Sequence, residues 1–219
     1  MKDRKKIPWP TKDAMSQVYE LDLWGSNDSK FYSGTGSHDS AIVKPYVSVI
    51  NEFLKRFETP LVACDLGCGD FNIGKQLLEN CKYYYAIDIV ENLIENNKKH
   101  FKYDNLEFNC LDISKVDLPK ADVVFVRQVL QHLSNDEVQQ ILSKLKDYKY
   151  VIITEHIPED DFLPNIDIIS GQGTRLKQDS GLILTESPFN FKSIEQKEVL
   201  SISLKPKKGK IVTTLYQMF

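Results

Sequence analysis

The chain has 219 residues, 42% of them apolar and 27% charged, enough to bury one sizeable core without requiring a second domain. Its formal net charge of −3 excludes a globally basic protein that would be drawn to nucleic acid or to an anionic membrane. The runs KDRKK at 2–6 and KPKKGK at 205–210 are locally basic only, and no stretch approaches the roughly 20 apolar residues of a spanning helix.

Residues 25–40, GSNDSKFYSGTGSHDS, are rich in Gly, Ser and Asp and read as a long loop, flanked by Trp24 and carrying Phe31 and Tyr32. Aromatic residues on a glycine loop suit a lid over a ligand. The following AIVKPYVSVINEFLKRF has apolar residues at helical spacing, which predicts a helix with Pro45 in its first turn.

From residue 61 an apolar run, a turn and an amphipathic stretch recur. LVACDL precedes a helix expected over 72–80, YYYAIDI precedes 91–101, and LEFNCLDI follows. ADVVFVRQ then precedes 135–147, and YVIITEH follows. Strands alternating with helices predict a parallel sheet covered on both faces. EVLSISLK and KIVTTLYQM alternate with period two around PKKG and predict a closing antiparallel hairpin. The segment 157–190, punctuated by Pro158, Pro164, Gly171, Gly173 and Pro188, is irregular and a candidate substrate loop, with Asn165, Asp167 and Arg175 as its polar residues. Cys64, Cys68, Cys81 and Cys110 form no CxxC pair, so reduced thiols, no metal site and a cytoplasmic protein are expected.

In open parallel sheets ligands bind beyond the C-terminal strand edges, beginning at the first strand-to-helix turn. Here that turn is DLGCGD, where Gly67 and Gly69 leave the main chain open to close approach. A dinucleotide fingerprint would need a third glycine at 72, where Asn72 stands. Asp88, nineteen residues after Gly69, ends the second strand, where a carboxylate can accept both hydroxyls of a ribose, and Asp112 ends the third. A glycine turn with two successive carboxylates describes S-adenosylmethionine better than a dinucleotide.

Four pieces, DLGCGD, YAIDIVENLI, NCLDI and ADVVFVRQVLQHL, stand in the order found in the class I S-adenosylmethionine-dependent methyltransferases, which the chain resembles over about 61–156. The wider set, WGS and SGTGS, then CGDFN, RQVLQHLS and NIDI, looks like a bacterial subgroup acting on small molecules. One departure is Phe71, which stands at the third glycine of the family motif. The resemblance implies a Rossmann-like α/β fold, a seven-stranded mostly parallel sheet with helices on both faces and a C-terminal antiparallel hairpin. It implies one domain overall, with 1–60 as an N-terminal lid and helical segment and 61–219 as the cofactor-binding part.

Carried over residue by residue, Asp65, Gly67 and Gly69 would contact the methionine part, Asp88 and Ile89 the ribose and adenine, Asp112 and Ile113 the adenine edge, and Arg127 and Gln128 the fourth-strand side. Gly36 and Ser37 would contact the cofactor from the lid. Asp112 could instead cap a turn. His132, on the loop after the fourth strand, is the first candidate for a general base because an ordinary imidazole titrates near ~6.5. Glu155 and His156, ending the fifth strand, are further catalytic candidates. The proline-aromatic run of amino-group methylation is missing after the fourth strand, where RQVLQ stands, so a hydroxyl oxygen is the expected acceptor. A small-molecule partner, with neither nucleic acid nor membrane, is expected. The competing readings are a nucleic-acid or protein methyltransferase, a noncatalytic ligand-binding domain and a dinucleotide oxidoreductase. The sequence specifies no oligomeric state.

Overall fold

The structure, a computed structural model, describes residues 8–26, 31–204 and 209–219. The basic run at 2–6 and the hairpin tip at 205–208 lie outside the described residues. Helix α1 (Thr11–Glu20), the short α2 (Thr35–His38) and α3 (Ser40–Leu54) precede strand β1 (Leu61–Leu66). Then come β2 (Cys81–Asp88), α4 (Glu91–His100), β3 (Leu106–Cys110), β4 (Val123–Arg127), α5 (Asn135–Leu145) and β5 (Tyr150–Ile157). Strands β6 (Glu195–Ser203) and β7 (Lys210–Gln217) close the chain.

The seven strands lie in the order β3-β2-β1-β4-β5-β7-β6. The first five are parallel; β7 runs antiparallel between β5 and β6, as the period-two alternation predicts. Successive side chains along a strand point to opposite faces, so each strand feeds two cores. Cys64, Leu66, Val124, Val126 and Ile153 pack against α5 and residues 182–191. Ala63, Tyr84, Ala86, Phe125 and Ile152 pack against α3 and α4. Helix α3 is capped by Asp39, whose carboxylate accepts from the Ala41 amide. Pro45 lies in its second turn rather than its first.

The stretch expected as a helix over 72–80 instead forms two single 3-10 turns, Gly74–Gln76 and Leu78–Asn80. Phe71 explains this. It takes a left-handed φ of 62°, and its fully buried ring meets Tyr84, Phe101 and Phe108 edge-on at 5.7, 5.1 and 4.9 Å. The backbone bends to drop that ring into the core, and Gly74 leaves room for it: a Cβ there would stand 2.2 Å from Phe71 Cε2. Burial of a phenyl ring contributes about 2–3 kcal/mol, enough to offset the ~1–2 kcal/mol of a strained non-glycine φ. A core plug thus replaces the third glycine.

Candidate active site

The C-terminal ends of β1, β2, β3 and β4 open onto one cavity of about 350 Å³. Its walls include all eleven residues expected at the cofactor: Gly36, Ser37, Asp65, Gly67, Gly69, Asp88, Ile89, Asp112, Ile113, Arg127 and Gln128. Gly67 and Gly69 have φ of 82° and 56°. A Cβ on Gly67 would stand 2.3 Å from Val129, and one on Gly69 would stand 2.4 Å from Ser33 Oγ. Both positions need glycine for conformation and for space.

Asp88 is buried and accepts from the Gly69 amide at 3.1 Å and the Val90 amide at 3.0 Å. These bonds tie the end of β2 to the glycine turn. Burial raises its pKa, against the pull of those amides. Asp65 is also buried, and one of its carboxylate oxygens accepts from Tyr84 Oη at 3.0 Å. Burial pushes it up to about 7, against the pull of Tyr84 and Arg127. A cationic ligand group beside it would restore its charge.

Arg127, at the end of β4, is buried over the Tyr46 ring, with 4.9 Å from Cζ to the centroid. It donates to Gly36 O at 2.6 Å and Ser37 Oγ at 3.3 Å, and its Nε has no partner among the described residues. Asp112 shares the cavity wall but also serves as a turn cap. It accepts from the Ser114 amide and hydroxyl and from Lys115 Nζ at 2.7 Å. Burial opposes its charge, and these donors outweigh burial, holding its pKa below the usual carboxylate range.

The described part of the N-terminal segment lines one side of the cavity, with contacts spread over residues 11–24 and 33–37. Thr11 Oγ1 donates to Glu137, which also accepts from the Ser134 and Ser170 hydroxyls. Lys12 pairs with Glu91 at 3.4 Å. Tyr19 Oη bonds Ser33 Oγ at 3.0 Å, while Ser33 Oγ accepts from the Asp70 amide at 2.8 Å and the Ser33 amide donates to the Asp70 carboxylate at 3.0 Å. Asn72 donates to Ser37 O at 2.7 Å. Gln172 donates to Leu23 O at 3.0 Å, and the Trp24 ring lies 5.0 Å from that of His132. Thr11, Met15, Tyr19, Ser33, Tyr46 and Gln131 were not singled out from the sequence, although all line the cavity. Only the periodicity of 11–20 could have pointed to the helix that carries the first three.

The catalytic candidates His132, Glu155 and His156 differ in where they stand relative to the cavity. His132 does line the cavity, yet both ring nitrogens are engaged: Nδ1 stands 3.1 Å from Gly173 O and Nε2 3.2 Å from Gln131 Nε2. Burial lowers its pKa to about 4, against the pull of the 171–173 backbone, so it is not the near-neutral base that an ordinary imidazole would be. Glu155 and His156 do not line this cavity. The buried Glu155 carboxylate accepts from the Leu130 and Gln131 amides at 3.1 and 3.0 Å, fixing the 3-10 turn Leu130–His132. Burial pushes its pKa up to about 8.

The polar residues of the 157–190 loop are structural too. Arg175 is fully buried and donates to the carbonyls of Ile166, Leu130 and Leu133, and Asn165 and Asp167 bond main chain nearby. All four cysteines are free, and no metal-binding cluster occurs among the described residues. No described helix is long and apolar enough to cross a membrane.

These residues fit S-adenosylmethionine. The buried opposite charges of Asp65 and Arg127, the latter with an unpartnered Nε, suit an α-amino acid; Asp88 suits ribose hydroxyls; and the apolar Ile89, Leu111 and Ile113 beside Asp112 suit a purine.

Residues 64–148 match the family model described as a methyltransferase domain. No curated protein matches the sequence. Among solved structures, the chain is similar to the N-methyltransferase NodS from Bradyrhizobium japonicum WM9 in complex with S-adenosyl-L-homocysteine. The TM-score is 0.65 at 12% identity, covering 94% of this chain and 98% of that one. It is also similar to magnesium protoporphyrin IX methyltransferase (ChlM) from Synechocystis PCC 6803 with bound S-adenosylmethionine, with a TM-score of 0.59 at 16% identity, covering 97% and 100%. Human N-acetylserotonin methyltransferase in complex with S-adenosylmethionine gives 0.54 at 16% identity, covering 95% and 60%. At these identities the likeness is one of fold.

Proposed function

We propose that the chain is a class I S-adenosylmethionine-dependent methyltransferase and that it methylates a small molecule, at an oxygen atom, in the cavity lined by α1. The observation that carries this reading is the convergence of the glycine turn, the ends of β2, β3 and β4 and the 33–37 strap on one space. Its volume lies toward the lower end of the roughly 300–1,000 Å³ of small-ligand sites. A polymer would need an open, basic groove, whereas this site is lined by α1 in a chain of net charge −3.

When bound, the cofactor supplies a methyl group activated on a positively charged sulfur. Asp65, Gly67 and Gly69 would hold its amino-acid end together with Arg127, Gln128, Gly36 and Ser37; Asp88 and Ile89 would hold the ribose, and Asp112 and Ile113 the adenine. The rest of the work falls to the chain: the N-terminal segment excludes water, and Trp24, Tyr46 and His132 wall the remaining space so that nucleophile and methyl carbon are aligned. Oxygen is proposed as the acceptor because Gln128, Val129 and Leu130 stand where amino-group methylation in this family uses a proline-aromatic run. The four free thiols support a reducing, cytoplasmic setting.

Calorimetry with S-adenosylmethionine and with NAD tests the binding half: binding of the first and not the second is expected, and the reverse overturns the reading. Incubation with labelled cofactor and a metabolite extract, followed by mass spectrometry, is expected to yield a small product heavier by one methyl group. Label found only on protein or nucleic acid would overturn the small-molecule assignment.

A further inference from the structure

Gln131 is buried between two fixed partners. Its Oε1 accepts from the His156 main-chain amide at 3.0 Å, and its own main-chain N–H donates to Glu155 Oε2 at 3.0 Å. A main-chain N–H can only donate, so the carbonyl end of the side chain must face His156 and the NH2 end must face His132 Nε2, 3.2 Å away. That NH2 can only donate, so Nε2 must carry the lone pair. At the other side of the ring, Gly173 O can only accept from Nδ1, 3.1 Å away. Two independent partners therefore specify one neutral tautomer, Nδ1–H.

We propose that Gln131 is a positioning residue that holds His132 as the neutral Nδ1–H tautomer with its lone pair occupied, making the ring a wall of the acceptor site rather than a proton acceptor. This rests on the methyltransferase reading for its place in the reaction, though not for its geometry. A proton arriving at Nε2 would set N–H against NH2, and the charged groups nearby do not offset that. The Arg175 guanidinium bonds the carbonyls of Leu130 and Leu133, which flank His132 in the chain, and the Glu155 carboxylate is turned to the Leu130 and Gln131 amides. The remaining face of the ring meets Trp24, which is uncharged. On this arrangement the proton of a hydroxyl acceptor is not lost to His132.

The test is long-range 1H–15N NMR of the intact protein between about pH 5 and pH 8, with the His132 signals assigned by their loss in His132→Asn. The wild type is expected to show Nδ1–H and bare Nε2 throughout. Gln131→Glu, which keeps the acceptor for His156 and turns a second one toward Nε2, is expected to show both nitrogens protonated at pH 7. Gln131→Met, which removes the donor at similar volume, is expected to bring protonation of Nε2 into this pH window, where the wild type shows none. A purely structural Gln131 would leave tautomer and protonation unmoved in Gln131→Met, the variant that adds no charge. That result, an Nε2–H ring or a charged ring in the wild type at pH 7 would each overturn the proposal. If neither variant folds, the wild-type spectrum decides alone. Calorimetric binding of S-adenosylmethionine by the same samples tests the methyltransferase reading separately.

Discussion

Asp88 accepts through both carboxylate oxygens from main-chain amides, so it shapes the turn as well as offering lone pairs to a sugar. Asp88→Asn keeps one acceptor of the same size and is expected to weaken S-adenosylmethionine binding by about 1–3 kcal/mol in calorimetry; unchanged affinity would place the ribose elsewhere. His132 makes a prediction about stability. Its folded pKa, about 4, lies below the ~6.5 of an unfolded imidazole, so between those values the unfolded chain binds the extra proton. The contribution is complete above pH 6.5 and is lost as pH falls toward 4. Asp65 and Glu155, both raised, act in the opposite direction over about pH 4–8, which makes a comparison with a variant necessary. Between about pH 7 and pH 5 the wild type should lose about 2 kcal/mol more than His132→Gln in urea unfolding. Parallel curves would mean that the ring is charged in the folded protein.

At the scale of elements, the glycine turn is expected to tolerate no side chain at Gly69, where φ is 56° and Ser33 Oγ already fills the space. Gly69→Ala should cost about 1–3 kcal/mol in thermal unfolding and weaken cofactor binding at least tenfold, because the strap carrying Ser33 must shift. Full affinity in that variant would show that the strap takes no part. The strands were legible because apolar runs bounded by turns say where a buried parallel sheet lies, whereas their order in the sheet, set by tertiary pairing, was not read from the sequence. Asp65, Asp88 and Arg127 all line the cavity. Asp88 was legible because strand ends in such a sheet face one edge, and Asp65 and Arg127 were legible through the family resemblance. The helix expected over 72–80 was not. Its apolar spacing is helical, and the demand of Phe71 for a place in the core, which periodicity does not encode, breaks it into two turns. His132 was placed in the right cavity, yet its chemistry depends on Gln131 and Gly173 O, and the latter is 41 residues away in the chain. Arg175 looked like a loop cation and proved to be a buried clasp for three carbonyls, which only the tertiary fold brings together.

Over the whole molecule, the N-terminal segment crosses the sheet edge from Glu137 and Glu91 to His132 and Asp70. Most of these contacts are single hydrogen bonds, each contributing about 0.5–1.5 kcal/mol. Cofactor binding beside them is expected to slow amide hydrogen exchange in residues 11–24 and 33–38 more than in the C-terminal hairpin, measured by mass spectrometry with and without S-adenosylmethionine. Protection confined to the hairpin would locate the ligand away from the N-terminal segment. On the proposed function, α1 borders the space for cofactor and acceptor alike through Thr11, Met15 and Tyr19, so exchange of either ligand past it would require the contacts of the N-terminal segment to loosen. Each turnover of such an enzyme would then include at least one loosening of that kind, and its rate would set a ceiling however fast the methyl group moves.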